Sequence, residues 1–318
     1  MELLEQQHSV TNQTSVLLNQ LLEQFIASQD ITQTSRVSYR NALKQFFTWL
    51  ESACPLSPNR QTILAYKESL DVKGLRPFTR SAYLVVVRKF FEWTETLKLY
   101  PNIARGIKGA KKQVKSHQKN ALTIDQIKLL LGSIERSTIT GKRDYALINL
   151  LIRTGLRLIE IKRSDIGDIT HETDRLLWIR GKARDGKDDF VLLTNQAYEP
   201  IQEYIKARTN ITLKSPLFSS LSDRNYGRRL TIHSLSRIIK QRLRGVGIDS
   251  TRVTAHSLRH TFGVMSMQAG ASLYEVQLAM RHTAPTTTEV YLGDIEKLKR
   301  IQAAPERKLN DFLSSNNI

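Results

Sequence analysis

The sequence predicts a mainly α chain with one small β-hairpin or sheet, an α+β fold divided into two domains. Three observations lead there. Apolar residues recur at intervals of three and four along most of the 318 residues, as on one face of a helix. A single pair of strand-like runs, "LLWIRGK" (176–182) and "DDFVLLT" (188–194), flanks a turn-rich segment and reads as a hairpin. Between the helical halves lies "NIARGIKGAKKQVKSHQKN" (102–120), with six Lys or Arg, two Gly and no acid, which reads as a basic linker.

Taken in order, residues 1–13 are polar and read as a disordered lead. Helical spacing begins at Thr14, with Val16, Leu17, Leu21, Leu22 and Phe25 on its apolar face. A second helix follows Thr32, with Tyr39, Leu43, Phe46, Phe47 and Leu50 as its stripe and Arg36, Arg40 and Lys44 on a separate basic side. The loop "SACPLSPN" precedes a third helix from Gln61 to Leu70. A fourth runs from about Phe78 to Leu97, with Leu84, Val87, Phe91 and Thr94 inward and Arg80, Arg88 and Lys89 outward. These four helices make a domain over 14–101. After the linker, Thr123 is placed to cap a helix, and "KRDYALINLLIRTGLRLIEI" reads as a buried helix, a Gly turn and a short helix. Beyond the hairpin, helices are expected over roughly 195–208, 232–245, 256–269, 272–281 and 294–303. The second domain is therefore 121–304, with 305–318 as a tail beyond Pro305.

The net charge of +18 is the strongest global signal, and it divides as +8 over residues 1–119 and +10 over 120–318. Both halves can therefore face a polyanion, nucleic acid above all. The single cysteine, Cys54, excludes an internal disulfide framework and fits a reducing compartment. Residues 1–9, "MELLEQQHS", lack the features of a secretory signal, and no apolar run reaches membrane-spanning length. A soluble, cytoplasmic protein is expected, with no membrane partner.

The segment "AHSLRHTF" places His256, Arg259 and His260 at i, i+3, i+4, on one helical face. Zinc is the first reading to weigh. The helical H-E-x-x-H pattern needs Glu at 257, where this chain has Ser257, and one Cys with seven His provides no second ligand cluster. No metal is expected. A cradle for an anion fits better, because Arg157 follows the Gly turn at the start of a short helix, where a guanidinium and free helix N–H groups can meet a phosphate. Lys182 on the hairpin, His282 in "MRHT" and Tyr291 in "TTTEVYL" complete the series.

That order and spacing, Arg157, Lys182, His256-x-x-Arg259, His282, Tyr291, resembles the tyrosine recombinase (phage integrase) family, carried by "TGLRLIEI", the hairpin "GK", "HSLRHTF", "RH" and "TTTEVYL". The resemblance covers about residues 121–295, and the four-helix half is similar to the family's core-binding domain. It implies a C-shaped DNA clamp and a metal-independent reaction with no cofactor. Tyr291 would be the nucleophile, Arg157, Arg259, His256 and His282 would attend the phosphate, and Lys182 would be the general acid. Glu160 would orient a His or an Arg, and His260 would pack or support. DNA contacts are expected from Arg36, Arg40, Lys44, Arg80, Arg88, Lys89, Lys111, Lys112, Arg237, Lys240 and Arg242. The implied partners are a duplex site with short inverted repeats and a homotetramer of two synapsed dimers, with room for an accessory protein, in the cytoplasm at the nucleoid. The layout is similar to the simpler, Xer-like or Cre-like members without an arm-binding domain. Their roles span dimer resolution and mobile-element integration or excision.

Two departures stand out. The family commonly has Leu-Gly before the second His, where this chain has Met280-Arg281, a cation that would shift the turn or add a DNA contact. The hairpin reads "GKARDGKDDF", which leaves Lys187 as an alternative to Lys182. The tail's Leu309, Phe312 and Leu313 share a face that would dock on a neighbouring protomer or pack in cis. Two other readings of the whole remain open at this point, a type IB topoisomerase and a non-catalytic DNA-binding regulator.

Overall fold

The computed structural model describes residues 2–53, 57–109, 120–180, 186–281, 293, 300 and 304–315. The chain divides into two compact units, Met1–Val114 and Lys115–Ile318.

The first unit is a bundle of α1 (Glu2–Ser28), α2 (Gln33–Ala53), α3 (Arg60–Val72) and α4 (Pro77–Thr96). Asn59 caps α3, its side-chain oxygen accepting from the amides of Gln61 and Thr62, and Pro77 opens α4 where a missing N–H costs nothing. Phe25, Phe46, Tyr66, Phe90 and Phe91 are buried together in its core. Their rings meet mostly edge to face, which the aromatic quadrupole favours.

Three expectations change here. Residues 2–13 belong to α1, not to a disordered lead, because nothing from Glu2 to Ser28 is Gly or Pro and the helix is free to continue. Val16 and Leu17 are exposed. At about 100° per residue they fall well round the helix from Leu22, Phe25 and Ile26, which are buried. The linker also begins later than residue 102, since Ala104 and Ile107 are buried in the first unit's core.

In the second unit, α5 (Ile124–Gly132) starts at Thr123, whose hydroxyl accepts from the Gln126 amide at 3.2 Å. Helix α6 (Ile139–Thr154) is central. Its Ala146, Leu147, Leu150 and Leu151 are buried, and it packs on α8 (Asn195–Lys206) and α10 (Ala255–Gln268). Helix α7 (Leu158–Arg163) leads into a three-stranded antiparallel sheet, β1 (Ile169–His171), β2 (Arg175–Ile179) and β3 (Asp189–Leu192), in that order. Leu177 pairs with Val191 and Trp178 with Phe190. Leu177, Ile179 and Val191 therefore turn inward, while Phe190 and Leu192 face out. Helices α9 (Ile232–Gly245), α11 (Leu273–Met280) and α12 (Pro305–Ser315) complete the described α-helices. On α12, Leu309 and Phe312 are exposed. Most of the helix expected over 294–303 lies outside the described residues. Among the described residues, no helix is long and apolar enough to cross a membrane.

Gly155 ends α6 in the left-handed region at φ 61°, where a residue with a Cβ is disfavoured. A Cβ there would also sit 2.5 Å from Phe262 Cδ1. Backbone strain and overpacking act together, so Gly155→Ala should cost about 2–4 kcal/mol. Thermal unfolding followed by circular dichroism should show the midpoint falling by roughly 5–10 °C.

Candidate active site

The turn at Gly155 reverses the chain between α6 and α7, and Arg157 sits immediately before the first residue of α7. Its own amide donates to Glu160 Oε2 at 2.7 Å, and its Nη1 donates to Glu160 Oε1 at 2.9 Å. Nη2 reaches across to the carbonyl oxygen of Arg281 at 3.2 Å. The Arg157 side chain keeps 29 % of its surface exposed. Both terminal nitrogens are thus anchored, while part of the side chain still meets solvent.

Glu160 is fully buried and anchors the assembly. It accepts from Arg157 through backbone and side chain, and from Arg281 Nη2 at 3.0 Å. Burial pushes its carboxyl pKa up. The Arg281 charge, the Arg157 amide and the Arg157 guanidinium together outweigh that and hold it below the usual carboxylate value. A depressed folded-state pKa means stability that is complete above the unfolded value of about 4.3 and is lost as pH falls through the folded value. Glu160→Gln should therefore be less stable than the parent at pH 7, by roughly 1–3 kcal/mol. The gap should narrow as the pH drops below about 4, which urea unfolding across pH 3–7 would measure.

The first turn of α10 is fixed by Ser257, whose Oγ accepts from the Thr254 amide at 3.0 Å and donates to the Arg252 carbonyl at 3.1 Å. From that turn His256 is exposed, while Arg259 and His260 are buried. The three residues that share a helical spacing therefore divide between solvent and interior. Arg259 donates Nη1 to the Gly155 carbonyl and Nη2 to the Met280 carbonyl. It thereby ties the end of α6 to the end of α11. With Arg157 and Arg281, three guanidiniums hold residues 155–160 against residues 280–281.

Arg281 follows α11 in the left-handed conformation, φ 55° and ψ 49°. Its guanidinium is turned into the protein, with 9 % of the side chain exposed. The arginine thus takes the conformation that glycine favours at a helix end, and the cation meets Glu160. The spacing alone could not show this pairing, because Glu160 and Arg281 lie 121 residues apart. An arginine at the position where the family commonly has Gly, together with a Glu160 expected to orient a His or an Arg, was the available signal.

Lys187, the alternative hairpin lysine, is engaged by Asp168 and lies 3.5 Å from Asp165. Asp165 also takes Arg229. Lys182, His282, Tyr291, Lys111 and Lys112 lie outside the described residues. Among the other basic residues, Arg237, Lys44 and Lys89 are exposed. Arg40 pairs with Glu23, Arg80 with Asp71, and Lys240 with Asp249 at 3.0 Å. Arg36 donates to the Gln29 carbonyl at 3.4 Å and Arg88 to the Ile107 carbonyl at 3.5 Å. Arg242 grips the buried Asp144 through Nε at 2.8 Å and Nη2 at 2.7 Å, opposite Arg143. Asp144 thus takes two arginines and joins α6 to α9. Among the described residues, no group of three or more His, Cys, Asp or Glu could hold a metal ion.

Residues 120–296 match the phage integrase family, more than half of the chain. Tyrosine recombinase XerC of Chlamydia trachomatis is 29% identical over 218 residues, spanning 68% of this chain and 67% of that one. Tyrosine recombinase XerC of Thermodesulfovibrio yellowstonii is 25% identical over 288 residues, or 89% and 92% of the two chains. Among solved structures, XerH site-specific recombinase bound to palindromic difH substrate superposes with a TM-score of 0.72 at 21% identity, covering 90% of this chain and 84% of that one. A lambda integrase dimer bound to a COC' core site superposes with a TM-score of 0.67 at 16% identity, covering 86% and 76%. At these identities the superpositions establish the fold.

Proposed function

The chain belongs to the phage integrase family, and we propose that it is a site-specific tyrosine recombinase that cuts and rejoins duplex DNA through a 3′-phosphotyrosine intermediate. The observation that carries the site assignment is the pair of guanidiniums, Arg157 and Arg259, fixed by Glu160 and by the Gly155, Met280 and Arg281 carbonyls. Charge that builds on the non-bridging phosphate oxygens is best stabilised by donors set in place before the reaction. A guanidinium suits this because it stays protonated and offers N–H groups in a planar fork.

In the proposed step the Tyr291 hydroxyl passes its proton to a neighbouring histidine, the phenolate oxygen attacks phosphorus, the bond to the 5′-oxygen breaks, and Lys182 gives that oxygen a proton. Lys187 is bound to Asp168, which favours Lys182 for this task. His256, exposed three residues before Arg259 on α10, and His282 hydrogen-bond the phosphate and lower the cost of the phenolate. The phosphotyrosine conserves the bond energy, so a 5′-hydroxyl from the exchanged strand reverses the step and reseals the DNA. Successive strand exchanges would pass through a Holliday junction. The partner DNA would carry short inverted repeats, with one dimer on each site and a tetramer on the synapsed pair, in the cytoplasm at the nucleoid.

Exposed Lys44, Lys89 and Arg237 support DNA binding by both units, each unit carrying part of the +18 charge. Nicked duplexes from the DNA flanking the chain's own gene, incubated with protein in EDTA, should yield a covalent protein–DNA band. Supercoiled plasmid lacking the site should stay supercoiled. Relaxation of site-free plasmid would favour a topoisomerase, and binding with no covalent band on any flanking duplex would favour a regulator.

A further inference from the structure

We propose that Arg281 is a positioning residue for strand cleavage: it grips Glu160 with its guanidinium and Arg157 with its carbonyl, and so sets the direction of the Arg157 guanidinium. This rests on the recombinase reading and deepens it at the same site.

Four observations lead to it. Arg281 adopts the left-handed conformation at φ 55°, which a residue with a Cβ occupies only at a cost. Its side chain turns inward, and Nη2 reaches Glu160 Oε2 at 3.0 Å. The same oxygen takes the Arg157 amide at 2.7 Å, and the other carboxylate oxygen takes Arg157 Nη1 at 2.9 Å. Finally, the Arg281 carbonyl accepts from Arg157 Nη2 at 3.2 Å. Arg157 is therefore held from two directions, by a carboxylate that Arg281 fixes and by the Arg281 backbone itself. Arg281 Nη1 also donates to the Ala279 carbonyl at 2.6 Å, which pins the side chain to the end of α11.

The left-handed turn makes the proposal testable without confusing function with folding. Glycine is the residue this backbone prefers, so Arg281→Gly should relieve strain while removing the ion pair. If Arg281 serves only the turn, Arg281→Gly should cleave as well as the parent. If it positions Arg157, cleavage should slow far more than the small change in stability accounts for.

The experiment compares the full-length parent, Arg281→Gly and Arg281→Lys on the same nicked duplexes, under single-turnover conditions with protein saturating. Thermal midpoints and DNA affinities are measured alongside. Arg281→Gly should form the covalent adduct 10- to 100-fold more slowly, about the effect of disturbing a supporting residue. Its midpoint should fall by no more than that of Glu160→Gln, because the relieved turn offsets part of the lost ion pair, and its affinity for the duplex should be unchanged within about twofold. Arg281→Lys, which keeps the charge but loses the fork, should recover part of the rate. Parental rates in Arg281→Gly would overturn the proposal. A fall in affinity and midpoint that matches the fall in rate would overturn it as well, in favour of a general structural role. No adduct from the parent on any duplex would overturn the recombinase reading and this proposal with it.

Discussion

Replacing Tyr291 with Phe is expected to abolish the covalent protein–DNA adduct while leaving DNA binding intact. The substitution removes one oxygen and almost no volume, so the fold and the charge that attracts DNA are preserved. An unperturbed tyrosine titrates near 10, and the proposed chemistry depends on making its phenolate affordable among the cations. Without that oxygen there is no bond to phosphorus. Adduct formation should drop by at least about 10⁴-fold, in line with the loss of a covalent nucleophile. A gel-shift titration of the same duplex should give an affinity within about twofold of the parent, because phosphate contacts and not the nucleophile dominate DNA affinity. An adduct that persists in the variant would mean a different residue attacks.

The second large effect is expected from Arg259→Ala. Only 2 % of Arg259 is exposed, and its guanidinium spans from the Gly155 carbonyl to the Met280 carbonyl. Truncation leaves both carbonyls without this donor and opens a cavity, which should lower stability by about 2–4 kcal/mol. It also removes a fixed positive charge from the proposed phosphate site. One preorganised donor is worth about 10²–10³ in rate, and a charged arginine at a transferring phosphoryl group up to about 10⁵. Cleavage measured well below the variant's unfolding midpoint separates the two effects. Arg259→Lys should restore more stability than rate, since an ammonium can satisfy one carbonyl but cannot present the planar fork.

Helices are the features the sequence shows most plainly, because burial repeats with the helical period. Leu84, Val87, Phe91 and Thr94 are expected inward on α4 and are buried there. Thr123 is expected to cap α5 and its hydroxyl does so. What escapes the period is short or paired at long range. β1 has only three residues, too few for alternation to register. Ala104 and Ile107 bury themselves from a stretch whose composition reads as linker. Val16 and Leu17 look apolar in the string yet lie off the buried stripe.

The candidate site divides the same way. The residue types and their order are visible in the chain, and they carry the family resemblance. Their partners are not visible. Glu23 neutralises Arg40 from 17 residues away, and Asp144 takes Arg242 from 98 residues away, so a basic stripe in the sequence need not be an open basic face. Likewise Arg281 reads in the sequence as a cation that would shift the turn or add a DNA contact. Folding carries it inward to Glu160, because the turn after α11 packs against the start of α7.

Identification of the protein–DNA bond itself decides whether Tyr291 is the nucleophile. The parent chain would be trapped on a nicked duplex in EDTA, digested with protease and nuclease, and the linked peptide sequenced by mass spectrometry. One phosphotyrosyl linkage is expected, at Tyr291, joined to the 3′ end of the cleaved strand. A linkage at another residue, a 5′ linkage, or an adduct that forms only when a divalent metal is restored would contradict that expectation.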